Sequence, residues 1–202
     1  MTRSTRRAVA VFAAALVPLG LASCSNGSDN TGSAASTPPA ATATHGSAHQ
    51  GDVEFTTMMI PHHEQAVVMS DMALARADVS PEVRKLATEI KAAQGPEIEK
   101  MTGWLSAWGE PAPTHDATDM AGHGDGMMTA EDMSALEAAR GGEFDEMWLQ
   151  MMIEHHEGAV TSSEKVLTTT ENPEVKQVAQ SIVDSQESEI ATMRGLLGSS
   201  AT

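Results

Sequence analysis

The sequence predicts an all-α fold, a four-helix bundle built from two repeated helical hairpins. Three observations carry this. The segment MMIPHHEQAV at 58–67 returns as MMIEHHEGAV at 151–160, 93 positions on. Four stretches place apolar residues three and four apart, the period of a helix with one buried face. The turns Ser80-Pro81-Glu82 and Asn172-Pro173-Glu174 share one helix-starting chemistry, a capping residue followed by proline at the first helical position.

Residues 1–23 read as a lipoprotein signal peptide. Arg3, Arg6 and Arg7 precede a short apolar run, too short for a membrane span. The run ends in Leu21-Ala22-Ser23-Cys24, the pattern of a bacterial lipobox, and Cys24 is the single cysteine. An acylated Cys24 would tether the chain to the outer face of a bacterial cell membrane, in an extracytoplasmic position. An ordinary signal peptide with an incidental cysteine is the alternative. With Cys24 lipidated, no thiol remains for a disulfide, a thiolate zinc site or a blue-copper centre.

Without the three signal-peptide arginines, nine basic residues stand against 28 acidic ones, a formal charge of −19. That balance argues against nucleic acid and anionic lipid as partners and suits a cation. Residues 24–51 are rich in Ser, Thr, Ala, Gly and Pro and read as a disordered tether.

The first hairpin is expected over residues 52–108. Its first helix, 52–77, carries Phe55, Met59, His62, Ala66, Met69 and Ala73 on one face, with Pro61 expected to kink it. Its second helix, from Pro81, carries Val83, Ala87, Ile90, Gln94, Met101 and Leu105, with a bend expected at Gly95-Pro96. Residues 109–142 form a linker containing His115, Met120, His123, Met127 and Met128, then a short helical piece from Thr129 to about Arg140, ended by Gly141-Gly142. The second hairpin occupies 143–198, and 52–198 make one domain. Neither hairpin alone would cover its apolar face, but two stacked together would.

At about 100° per residue, His62 and His63 fall within or at the edge of the apolar stripe, whereas Glu64 points to solvent. His155, His156 and Glu157 repeat this arrangement. Met59 precedes His62 by three residues and His63 by four, so its sulfur shares their surface, and Met152 repeats this. Thioether plus imidazole is a soft, neutral donor set that suits Cu(I) better than Mg, Ca or Mn. The carboxylate-rich pattern of di-iron bundles is missing, because Met-x-x-His stands where Glu-x-x-His would. The His-Glu-x-x-His of zinc proteases also fails, with Val67 and Val160 at its last position.

The candidate metal ligands are therefore Met59, His62, His63, Met152, His155 and His156, with His115, Met120, His123, Met127 and Met128 as a possible second cluster. Gln94, Glu97, Gln186 and Glu189 would orient the imidazoles from the neighbouring helices. They could equally hydrogen-bond all four histidines into a metal-free seam that fixes register. A metal-dependent oxidoreductase is a further alternative, though no residue here identifies a substrate cleft.

The stretch from Val53 to Leu197 resembles the domain of unknown function 305 family. The resemblance rests on both His-His segments, on Phe55 and Trp148 upstream, and on the Gln94/Glu97/Ile98/Met101 and Gln186/Glu189/Ile190/Met193 sets. It implies a secreted or lipid-anchored, ferritin-like four-helix bundle, with copper binding and metal tolerance through His and Met in some relatives. It implies no enzymatic activity. The expected function is copper binding or buffering. The linker cluster is not part of the family's motif.

Overall fold

The structure, a computed structural model, describes residues 47–113 and 126–200, with side chains from Gln50 to Gly198. Five helices follow in order: α1 (Ser47–Leu74), α2 (Pro81–Trp108), α3 (Ala130–Ala138), α4 (Gly141–Leu167) and α5 (Pro173–Ser200). No strand occurs among the described residues, and no helix there is long and apolar enough to cross a membrane. The all-α bundle is thus the observed fold. The signal peptide, Cys24 and residues 24–46 of the tether lie outside the described residues.

Helix α1 starts five residues ahead of Asp52, so the end of the expected tether is helical. Local chemistry accounts for the difference. Residues 47–50 contain no Gly or Pro, and the Gln50 amide donates to Glu54 Oε1 at 3.0 Å, a stabilising i,i+4 pair. Pro61 and Pro96 lie inside α1 and α2, and both helices run on through them without interruption. Each proline removes one N–H from the ladder, which a long, packed helix tolerates.

The cap at Ser80 forms as its sequence suggests: its hydroxyl accepts from Val83 N–H at 3.3 Å. Asn172 does the same for α5, accepting from Glu174 N–H at 2.9 Å. Thr129 and Asp132 make a reciprocal capping box at the start of α3. Gly109 closes α2 in the left-handed region at φ 78°, as a helix C-terminus favours.

The start of α4 differs from expectation. Gly141-Gly142 does not separate two helices; Gly141 opens α4. Its N–H is capped from a distance, by Asp78 Oδ2 at 2.9 Å from the α1–α2 turn. That bond, first among several causes, holds the Asp78 carboxyl below its ordinary value. The same turn supplies Arg76, whose guanidinium donates to the carbonyls of Leu136, Glu137 and Ala139 at the end of α3 and lies 4.3 Å from the Phe144 ring centroid.

Helices α1 and α4 cross antiparallel. Trp148 Nε1–H donates to the Met69 carbonyl at 3.0 Å, and the first turns of α1 share a cleft with the last turns of α4. The core falls into two apolar clusters. One includes Ala66, Met69, Ile90, Met152, Ile190 and Met193. The other includes Phe55, Met59, Met101, Ala159 and Ile182. On every long helix, a buried polar residue lies between the two clusters: His62 and His63, Gln94, His155 and His156, and Gln186.

Candidate metal centre

The polar residues form one layer across the middle of the bundle. Helix α1 contributes His62 and His63 between Met59 and Ala66; α4 contributes His155 and His156 between Met152 and Ala159. Gln94 and Glu97 enter from α2, and Gln186 and Glu189 from α5. All four histidines are at most 1% exposed, and Gln94 and Gln186 are 2% exposed. The helical period puts these residues inside because each sits three or four from an apolar neighbour on the same face.

Two matched pairs frame the layer. His63 Nε2–H donates to Glu97 Oε2 at 2.9 Å, and His156 Nε2–H donates to Glu189 Oε2 at 2.8 Å. A carboxylate accepting at Nε2 assigns the proton there and leaves Nδ1 with its lone pair. In both residues Nδ1 is buried and has no hydrogen-bond partner among the described residues.

Between these pairs, His62 and His155 meet ring to ring, with centroids 3.8 Å apart and planes tilted by 38°. The two His-His segments therefore do not close on themselves; each sends its first histidine to the other. Burial, above all, holds the His155 imidazole well below its ordinary value, and repulsion from the charges that His62, His156 and His63 would carry adds to this. His156 is also lowered by burial, against the pull of Glu189. Burial thus favours the neutral form of His155 and His156, the protonation state that ligates metal.

The layer does not satisfy itself. Among the described residues, both nitrogens of His155, both amide atoms of Gln94 and Gln186 Oε1 lack a hydrogen-bond partner. Each such buried atom costs about 1–3 kcal/mol, against a net stability of only about 5–15 kcal/mol for a whole domain. The glutamates hydrogen-bond one histidine of each pair, but the glutamines do not complete a closed seam.

Met59 and Met152 are fully buried one helical turn before His62 and His155, in separate apolar clusters on opposite sides of the layer. Glu64 and Glu157 stay out of the layer: Glu64 is part-exposed, and Glu157 is exposed and paired with Arg194. His115, Met120 and His123 lie outside the described residues. Met127 is half-buried, whereas Met128 is a core side chain. Among the described residues, no three His, Cys, Asp or Glu side chains form a ready metal cage. Any site here needs the thioethers or fewer protein donors.

Gly126 bears on the centre, and sequence reasoning passed over it. It adopts φ +76°, and a Cβ there would lie 2.4 Å from the Glu154 carbonyl and 3.1 Å from His155 Cα. The linker backbone is pressed against α4 at the histidine itself. A glycine in a Gly-rich loop gives no sign of such an approach.

The fold is an all-α bundle whose middle layer gathers four buried imidazoles, two of them paired with carboxylates. More specifically, the chain belongs to the family described as Domain of unknown function (DUF305), whose profile matches residues 52–197. Solved relatives share the fold. A DUF305 fragment from Deinococcus radiodurans is 32% identical, covering 73% of this chain and 95% of that one, with a TM-score of 0.67. A DUF305 protein from Streptomyces coelicolor, inferred to be secreted, is 36% identical, covering 74% and 93%, with a TM-score of 0.66.

CopM in its Cu(II)-bound form is 35% identical, covering 73% and 96%, with a TM-score of 0.63. CopM has also been solved in Cu(I)-bound and Ag-bound forms. A curated relative, an uncharacterized protein from Acanthamoeba polyphaga mimivirus, is 40% identical over 53 residues. That match covers 26% of this chain and 35% of the relative, so the chain spans about a third of that relative's length.

Proposed function

We propose that this chain is an extracytoplasmic, lipid-anchored copper-binding protein that buffers copper, Cu(I) in preference, at the middle layer of its bundle. The observation that carries the reading is the meeting of His62 and His155 at 3.8 Å, inside a buried layer where both His155 nitrogens and the Nδ1 atoms of His63 and His156 have no hydrogen-bond partner among the described residues. A metal ion would use those lone pairs. Its ligands would be drawn from His62, His63, His155 and His156, the second of each pair through Nδ1 because Glu97 and Glu189 occupy Nε2. Met59 and Met152 would add thioether sulfur, which favours the monovalent ion. Glu97 and Glu189 would act as the carboxylates that orient a ligating imidazole.

The structures of CopM with Cu(I), Cu(II) and silver support copper as the cargo. The inferred secretion of the Streptomyces coelicolor relative supports an extracytoplasmic place. The lipobox at Leu21–Cys24 supports acylation of Cys24. Binding and buffering require no substrate, so no catalytic residue is assigned.

Anaerobic titration of the chain with Cu(I) against a chelator of known affinity tests the function. Competitive binding should fall at least tenfold when His62 and His155 are both replaced by alanine in a variant that stays helical by circular dichroism. Unchanged binding in that variant would refute the central layer as the site. Mass spectrometry of the mature chain tests the anchor: Cys24 should carry the acyl groups.

A further inference from the structure

We propose that residues 126–128 are a latch over the contact of His62 with His155, and that release of the Gln65–Met128 pair admits ligand to the layer. The identity of that ligand, a metal cation, rests on the copper-binding reading above; the covering of the two rings does not.

The latch touches both helices that supply the central histidines. Its first residue lies on α4: a Cβ on Gly126 would stand 3.1 Å from His155 Cα and 2.4 Å from the Glu154 carbonyl oxygen. Its last residue is held on α1, where the Gln65 amide donates to the Met128 carbonyl at 2.9 Å and accepts from its N–H at 2.7 Å. Gln65 is three residues after His62, so the two are neighbours on the surface of one helix. Three residues of chain thus pass from the backbone of His155 to the flank of α1 beside His62. They cross where the two rings meet, with centroids 3.8 Å apart.

The fastening is of a kind that can let go. Met128 packs its side chain into the core, which favours the closed state. Gly126 brings no side chain, and the polar hold is two neutral hydrogen bonds from a single amide. Gln65 and Gly126 are only part-buried, so water can replace those bonds on release. The far end of α3 is held separately, by Arg76 on the carbonyls of Leu136, Glu137 and Ala139. The latch can therefore open locally while that end stays in place.

All four histidines are at most 1% exposed, so ligand reaches the layer only when something moves. The outer pairs have a route of their own, since the Glu97 and Glu189 side chains are each 18% exposed. The central pair has the latch on its α1/α4 side. A segment that covers the rings without ligating changes how fast ligand crosses and not how tightly it is held. Its release should raise entry and exit by the same factor.

The first measurement needs no metal. The full metal-free chain is treated with diethyl pyrocarbonate, and carbethoxylation is followed histidine by histidine with mass spectrometry. His62 and His155 should react slowly. Gln65→Leu frees the α1 end of the latch and Gly126→Ala forces the α4 end away; each should speed both rings by about tenfold or more. Arg76→Leu, which loosens only the far end of α3, should change them by less than about twofold. Two variants at opposite ends keep the test decisive if one fails to fold. Equal acceleration in all three would mean general destabilisation and overturn the proposal, as would no acceleration in any.

The second measurement is transfer of Cu(I) from the loaded chain to a chelator by stopped flow. Gln65→Leu should release the ion about tenfold faster with Kd within about threefold of the parent. Binding with an unchanged release rate would overturn the latch, route the ion past the glutamates and leave the central layer as the site. A rise in Kd equal to the rise in release rate would make the segment part of the site and not its gate. If the parent chain binds no Cu(I) while ring reactivity follows the latch variants, the copper reading fails and the covering of the rings stands.

Discussion

Both heteroatoms of the Gln65 side-chain amide are engaged by the backbone of Met128: Nε2 donates to its carbonyl at 2.9 Å, and Oε1 accepts from its N–H at 2.7 Å. One side chain on α1 thereby fastens the chain that leads into α3, three residues from His62. Gln65→Leu leaves two backbone groups of a core residue without partners. It should lower unfolding stability by about 1–3 kcal/mol, measured by chemical denaturation. Amide exchange at Met128 should accelerate; unaltered exchange there would show that packing alone holds the segment.

Gly126 is the position where substitution should do most damage for its size. An alanine would have to hold φ +76° and place its Cβ 2.4 Å from the backbone oxygen of Glu154. The left-handed conformation alone costs about 1–2 kcal/mol, and the clash is with backbone, which cannot swing aside. Gly126→Ala should therefore destabilise by at least about 2 kcal/mol. Gly103→Ala is the control, because nothing lies within 4 Å of its Cβ position on an exposed helix face. It should stabilise by about 0.5–1 kcal/mol. Thermal melts of the two variants should move in opposite directions.

The metal-free chain should lose stability on mild acidification. The unfolded chain takes up protons at ordinary histidine values near 6.5, whereas folded His155 and His156 are held below this, first by burial. The unfolded state then binds more protons, so stability is complete above 6.5 and declines as pH falls toward the folded values. Urea midpoints should drop between about pH 7.5 and pH 5.5. A flat or rising midpoint would mean that these imidazoles are protonated in the native state. Asp78, lowered chiefly by its bond to Gly141, gives a second loss of the same sign as pH falls below 3.8.

Glu97 and Glu189 should matter more to copper affinity than their place at the edge of the layer suggests. Glu97→Ala or Glu189→Ala frees the Nε2 of a buried histidine and removes what fixes its ring. Loss of such an orienting carboxylate lowers metal affinity by about 10–100-fold. Glu97→Gln, which retains a hydrogen-bonding oxygen, should recover much of it. Equal affinity in all three would separate the glutamates from the site.

Helix identity was legible in the sequence because periodicity and caps are local: Ser80, Asn172 and Thr129 act where they stand, and the histidines lie on the buried stripes. Local pattern also identified Glu97 and Glu189, whose spacing from Ile90 and Ile182 puts them on the inner face. It could not say which histidines would meet. A stripe gives a helix's inner face but not its register against another helix, and the contact of His62 with His155 is set by that register. The cap on Gly141 was hidden for the same reason, since its acceptor, Asp78, is 63 positions away. Gly126 gave no local sign of its role because its constraint comes from the backbone of α4.

The meeting of His62 with His155 places the centre on the line that relates the two hairpins, between equivalent positions of each. Neither half therefore brings that pair of imidazoles together by itself. A chain with a single hairpin of this kind could assemble the same pair of imidazoles only as a homodimer, with its one His-His segment facing its copy. Joining the halves in one polypeptide makes the meeting of those imidazoles independent of protein concentration.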